Sequence, residues 1–186
     1  MNVSEIRALI ESIKNVKHRT VVMLLYSTGM RLAEISALRI ADIDSKSMRI
    51  KVVQGKGSKD RYTLLSEQVL LELRAYYLKY KPQEYLFNGH QRGKCLSVRM
   101  IQHLVHNALI QLGLSNKNYS VHTIRHSFAT HLVDTGTDLH TVMELLGHSS
   151  LHTTMRYMHL STARMQGIVN PYDALVNGNA NSTNAK

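Results

Sequence analysis

Thiols are almost absent. Cys95 is the single cysteine in 186 residues, which excludes an intrachain disulfide, and a cysteine-based structural zinc site would need more thiolates than one. Such usage fits a reducing compartment, so a cytoplasmic location is expected. Long apolar runs are missing too. No stretch approaches the roughly 20 residues that cross a bilayer, and the start MNVSEIRALI lacks a basic region followed by an uninterrupted apolar run. The expectation is a soluble, unsecreted protein with no membrane partner. Acidic residues are the third scarcity: 13 Asp and Glu stand against 23 Lys and Arg, a formal net charge of +10. An excess of that size favours a polyanionic partner through long-range attraction and counterion release, with nucleic acid first and an anionic membrane surface second.

What remains is enough for one compact domain, since 44% of the chain is hydrophobic. Ser4 can cap a helix whose apolar positions Ile6, Leu9, Ile10 and Ile13 follow helical spacing, and the pattern resumes from His18 through Val22, Leu25 and Tyr26. Gly29 breaks it, and a third helix is expected over about 31–38 with Leu32, Ile35 and Leu38 inward, so Arg31 sits at a helix start. Residues 47–53 and 61–64 alternate and carry β-branched side chains around the basic stretch Gly55-Lys56-Gly57-Ser58-Lys59-Asp60, which reads as a β-hairpin with a basic tip. Ser66 and Ser97 mark two further helices, to about Leu78 and Leu112, with Gly113 closing the second. Short helices are expected at about 122–134, 138–146, 150–158 and 161–166, with Thr137 as a cap. After Pro171 the composition changes, and residues 177–186 hold almost nothing to bury. A domain over 1–170 and a mobile tail over 171–186 are expected.

Two arginines stand where chemistry could use them: Arg31 in Thr28-Gly29-Met30-Arg31, and Arg125 in His122-Thr123-Ile124-Arg125-His126. A planar guanidinium holds two phosphate oxygens and keeps its charge near neutral pH. The bland alternative for Arg31 is a surface arginine paired with Glu34 one turn on, and helical Arg125 has an equivalent one. Further along come Leu145-Leu146-Gly147-His148 and, nine positions after that histidine, Tyr157 in Met155-Arg156-Tyr157-Met158-His159. Alone, Tyr157 is one of 9 tyrosines and reads as an ordinary packed aromatic. Eleven histidines include the 122/126 and 148/152 pairs at i, i+4, a spacing that suits a metal, but neither forms His-Glu-x-x-His, and no metal is expected.

Taken in order, an Arg after a Thr-Gly turn, a Gly-Lys-Gly hairpin, His-x-x-Arg-His, Leu-Leu-Gly-His and a late Tyr resemble the tyrosine recombinases and phage integrases, particularly the Xer-like bacterial branch. The resemblance covers about residues 3–165. It implies a mainly α fold with a small antiparallel β-sheet (α+β), with a third strand near residues 85–87. It also implies site-specific DNA strand cleavage and rejoining, with double-stranded DNA as partner and no cofactor. Arg31 and Arg125 match the pair that clamps the scissile phosphate, and His148 the third phosphate-stabilising group. Lys56 matches the general acid toward the leaving 5′ hydroxyl, with Lys59 its nearby competitor, and His122 the residue that assists proton removal from the tyrosine. Tyr157 matches the nucleophile, which would form a 3′-phosphotyrosine before strand exchange through a Holliday junction.

The same resemblance implies an N-terminal DNA-binding domain before residue 1, which this sequence does not contain, and a tetrameric synapse of further protomers on DNA. Residues 160–176, with Met165, Ile168, Val169, Leu175 and Val176, would suit docking on a neighbouring protomer or packing on their own domain equally well. Two rival classes share parts of the pattern. A type IB topoisomerase uses a similar tyrosine and basic surroundings but rejoins the same strand. A non-enzymatic DNA-binding domain could retain the fold, although the full set of candidate residues argues against it.

Overall fold

The computed structural model describes residues 1–53, 60–91, 93–148 and Thr154. The Lys56 hairpin tip, Tyr157, the helices expected after residue 149 and the tail from 171 lie outside the described residues.

Seven helices and one small sheet form this part of the chain. The order is α1 (Val3–Ser12), α2 (Val16–Thr28), α3 (Leu32–Ala37), β1 (Ile43–Asp44), β2 (Arg49–Val52), β3 (Arg61–Leu64), α4 (Glu67–Tyr80), α5 (Val98–Gln111), α6 (Val121–Asp134) and α7 (Leu139–Leu146). Periodicity accounts for the helices. In α1 Ile6 and Leu9 are buried, in α4 Val69, Leu73 and Tyr76, and in α5 Ile101, Leu104, Val105, Ala108 and Leu109, each set one stripe at helical spacing. These stripes and the fully buried Val21, Leu24 and Leu25 of α2 meet around Ile35, Ile50 and Phe87 in one main core. A second cluster, Phe128, Ala129, Val133, Val142 and Leu146, joins α6 to α7.

Two caps differ from the sequence expectation. Asn2, not Ser4, caps α1: its side chain accepts from the Glu5 amide at 2.8 Å while Glu5 reaches back to the Asn2 amide, a reciprocal capping box. Asp138, not Thr137, caps α7, accepting from the Thr141 amide at 2.9 Å. In both places neighbouring side chains can cap, and only the path of the entering chain selects one.

The sheet has strand order β1-β2-β3, antiparallel throughout, with Ile43 opposite Ile50 and Ile50 opposite Thr63. Its inner face presents Ile50, Val52 and Thr63, and Thr63 donates from Oγ1 to the Thr28 carbonyl at 2.9 Å, fastening β3 to the end of α2. Its outer face carries Arg49 over the Tyr62 ring at 4.8 Å. The third strand is therefore β1, which corrects the expectation of a strand near 85–87. Those residues make backbone bonds elsewhere: Leu86 donates to Leu38 at 2.8 Å, and Glu84 accepts from Ile40 at 3.1 Å, leaving only an isolated bridge between Arg39 and Tyr85. Among the described residues no helix is long and apolar enough to cross a membrane.

The turn after α2 sets where α3 begins and where Arg31 stands. Gly29 has φ +58°, and a Cβ there would lie 2.3 Å from Phe128 Cδ1 and 2.9 Å from Leu146 Cδ2. Only glycine lets the α2–α3 turn press against the α6–α7 cluster, and that contact brings Arg31 beside α6 and α7.

Candidate active site

The site is organised by the C-terminus of α7. The helix ends on Gly147 at φ +63°, with the Gly147 amide bonded to the Glu144 carbonyl at 3.0 Å and the His148 amide to Met143 at 3.1 Å. A helix end leaves its last carbonyls without intrahelical donors and concentrates the negative end of the peptide dipoles there. Three consecutive carbonyls each receive a different arginine. Leu145 accepts from Arg61 Nε at 3.0 Å, Leu146 from Arg125 Nη2 at 2.8 Å, and Gly147 from Arg31 Nη2 at 2.9 Å. The three guanidinium groups arrive from the start of β3, the first turns of α6 and the N-cap of α3.

Glu34 ties two of them together. Its carboxylate accepts from Arg31 Nη1 at 3.0 Å and from the Arg31 amide at 2.7 Å. It also accepts from both Arg61 terminal nitrogens, at 2.7 and 2.8 Å. Burial alone would raise the Glu34 pKa. The Arg61 hydrogen bonds, the Arg31 amide and the two positive charges outweigh it and hold the carboxyl below its ordinary value, so Glu34 is an anion at neutral pH. The Arg31 side chain remains 46% exposed while that of Arg61 is 9% exposed, so only the first can meet a bound ligand.

Arg125 also donates from Nη1 to the Gly29 carbonyl, and its Nη2 lies 3.2 Å from His148 Nε2. Because a guanidinium has no acceptor, Nε2 must accept, which assigns the His148 proton to Nδ1 and makes it the donor to Thr154 Oγ1 at 2.9 Å. Thr154 is fully buried. The arrangement thus fixes the imidazole from one side through Thr154 and presents its other nitrogen to the arginine cluster.

Of the six residues singled out in the sequence, three come together: Arg31, Arg125 and His148, drawn from positions 117 residues apart at their extremes. His122 is exposed in the first turn of α6, one turn before Arg125, and lines a cavity of about 220 Å³ with Leu32, His106 and Tyr119. Lys56 and Tyr157 lie outside the described residues. The bland pairing of Arg31 with Glu34 is present alongside the contact to α7, so the two readings of Arg31 are both realised. Sequence reasoning missed Arg61, which it read only as a strand residue. Its signal was faint: an inward-facing arginine opposite Val52, on the face that otherwise carries Ile50, Val52 and Thr63. Among the described residues no three metal-ligating side chains are grouped.

A mainly α domain with a three-stranded antiparallel sheet, whose separated arginines and a histidine gather at one helix terminus, has the architecture of tyrosine recombinase catalytic domains. The chain belongs to the phage integrase family, whose profile matches residues 1–164. It is 36% identical over 185 residues to the tyrosine recombinase XerD of Staphylococcus aureus, covering 92% of this chain and 61% of that one. The crystal structure of XerA recombinase superposes with a TM-score of 0.80 at 29% identity, covering 89% of this chain and 62% of that chain. The XerH site-specific recombinase, bound to palindromic difH substrate in a post-cleavage complex, gives a TM-score of 0.77 at 28% identity, over 89% of this chain and 51% of that one. The chain spans between 55% and 68% of the length of the first curated relatives it matches.

Proposed function

We propose that this chain is the catalytic part of a tyrosine site-specific recombinase that acts on double-stranded DNA. The observation that carries the reading is the convergence of Arg31, Arg125 and His148 on the end of α7, in the family's motif order. Arg31 and Arg125 are each anchored by protein carbonyls, so the planes of their guanidinium groups are set before a phosphate arrives and little reorganisation is needed to meet it. His148, fixed through Thr154, adds a third group on the non-bridging oxygens once DNA displaces its contact with Arg125 and Nε2 takes up a proton, since the bare nitrogen that faces Arg125 has no hydrogen to donate.

In the reaction, the Tyr157 oxygen forms a bond to phosphorus as the bond from phosphorus to the 5′ oxygen breaks. His122 takes the phenolic proton, and Lys56 gives one to the departing oxygen. A phenol with an ordinary pKa near 10 needs this cationic surrounding to react at neutral pH. The phosphotyrosine conserves the bond energy, so no nucleotide or metal is required, and a 5′ hydroxyl from a partner strand reverses the step. Two such rounds, through a Holliday junction in a tetramer of protomers, complete recombination. The net charge of +10 suits the polyanionic substrate.

The test is a nicked suicide duplex carrying a candidate site. The wild type is expected to form a covalent protein–DNA adduct and Tyr157→Phe none. An adduct that survives the substitution removes Tyr157 as nucleophile, and relaxation of supercoiled plasmid without strand exchange points to a topoisomerase instead.

A further inference from the structure

We infer that Arg61 is a positioning residue of this site: by neutralising Glu34 it leaves the charge of Arg31 available to a phosphate, and it holds the α7 terminus in register with the hairpin. The inference rests on the proposed recombinase function, but its physical basis is local. Glu34 is a nine-tenths buried carboxylate placed one helical turn from Arg31, and by itself it would claim that guanidinium as a bidentate partner. Arg61 occupies both carboxylate oxygens first, at 2.7 and 2.8 Å, and Arg31 is left with one 3.0 Å side-chain bond to Glu34. Two guanidinium groups on one carboxylate leave one net positive charge, and that charge sits on the exposed member of the trio.

The second half of the role is geometric. Arg61 Nε holds the Leu145 carbonyl, and a Cβ on Gly147 would lie 2.8 Å from Arg61 Cδ and 2.9 Å from Nε, so the Arg61 side chain packs flush against the backbone that leads into His148. Arg61 also opens β3, directly after the segment that carries Lys56. One buried side chain on the strand that follows the Lys56 segment in sequence therefore joins the carboxylate that governs Arg31 to the helix end that carries His148. It does not touch substrate, since its 9% exposure leaves it no access to a bound phosphate.

The test measures inorganic phosphate affinity by NMR, following the Arg31 Nε–H and His148 ring signals, in the wild type, Arg61→Gln, Arg61→Lys and the double variant Arg61→Gln/Glu34→Gln. Arg61→Gln is expected to weaken phosphate binding by about tenfold, because Glu34 then draws Arg31 onto itself. The double variant is expected to recover to within about threefold of wild type, because the carboxylate charge is gone, and Arg61→Lys to fall between. Breaking a buried pair can unfold a domain. If circular dichroism shows Arg61→Gln unfolded, the double variant and Arg61→Lys decide.

A double variant that is folded but no better than about tenfold below wild type overturns the charge argument, as does an Arg61→Gln protein with unaltered phosphate affinity. The same four proteins are then assayed for adduct formation on the suicide duplex. A wild type that binds phosphate in the expected order yet forms no adduct at Tyr157 sinks the recombinase reading and leaves the role of Arg61 standing. Adduct rates that track the phosphate order, with the double variant faster than Arg61→Gln, support both.

Discussion

Replacing Gly29 by alanine tests the turn on which the site depends. Its φ of +58° costs an L-residue about 1 kcal/mol in backbone strain. The larger contribution is steric: the new Cβ would stand 2.3 and 2.7 Å from Phe128 Cδ1 and Cε1 and 2.9 Å from Leu146 Cδ2. Both neighbours are buried in the cluster that joins α6 to α7, so neither can swing away into solvent. Overpacking of this kind costs about 1–3 kcal/mol, for a total of about 2–4 kcal/mol. At roughly 2–4 °C per kcal/mol for a chain of this length, the melting temperature should fall by about 4–16 °C.

Thermal unfolding monitored by circular dichroism measures this, with Gly113→Ala as the control. Gly113 has φ +68° and no heavy atom within 4 Å of its notional Cβ, so it carries the backbone cost alone, about 1 kcal/mol. The Gly29 carbonyl also accepts from Arg125 Nη1, so phosphate affinity should drop in Gly29→Ala and not in Gly113→Ala. Equal melting shifts in the two variants would refute the claim that the turn is packed against Phe128 and Leu146.

Contacts away from this turn can be tested in the same way. Glu5 accepts from Lys117 at 2.7 Å and from Tyr119 and the Asn2 amide, and the Lys117 bond first among these lowers its pKa to about 2 from 4.5. A depressed carboxyl pKa contributes stability that is present above about pH 4.5 and is lost as pH falls toward 2. Between pH 5 and pH 3 the wild type should lose more stability to urea than Glu5→Gln does, by about 1 kcal/mol after allowing for the exposed lysine, and equal pH dependence would count against the contact. Thr63→Val keeps the shape of β3 but leaves the buried Thr28 carbonyl without its 2.9 Å donor, a loss of about 1–2 kcal/mol readable by chemical denaturation. Arg125→Lys cannot serve Gly29, Leu146 and a phosphate together, so adduct formation should slow by about a hundredfold or more, with DNA affinity in a gel-shift assay nearly unchanged. Full activity in Arg125→Lys would remove the need for a planar fork.

The sequence by itself determined the features that depend on near neighbours along the chain. Helical stripes such as Ile6 and Leu9, the break at Gly29, and the hairpin pairing of β2 with β3 are local patterns, and each was legible because its physical cause acts within a few residues. The motif order was equally legible, and with it the grouping of Arg31, Arg125 and His148. Two-residue β1 was not, because a strand that short has no alternation to read, and the third strand that the resemblance implied near residues 85–87 is absent there, Leu86 bonding instead to the Leu38 carbonyl.

Only the tertiary structure decided how the site is held. Arg61 reaches Leu145 across 84 positions and Arg31 reaches Gly147 across 116, and no periodicity encodes which unsatisfied carbonyl at a helix end will meet which guanidinium. Those pairings are set by packing. The Gly29 turn brings α3 against α6 and α7, Thr63 fixes β3 on α2, and the negative end of α7 then gathers the arginines delivered to it. Sequence named Arg31, Arg125 and His148, and the close approach of distant segments left the Arg31 side chain exposed and buried behind it Arg61, which no local pattern had marked.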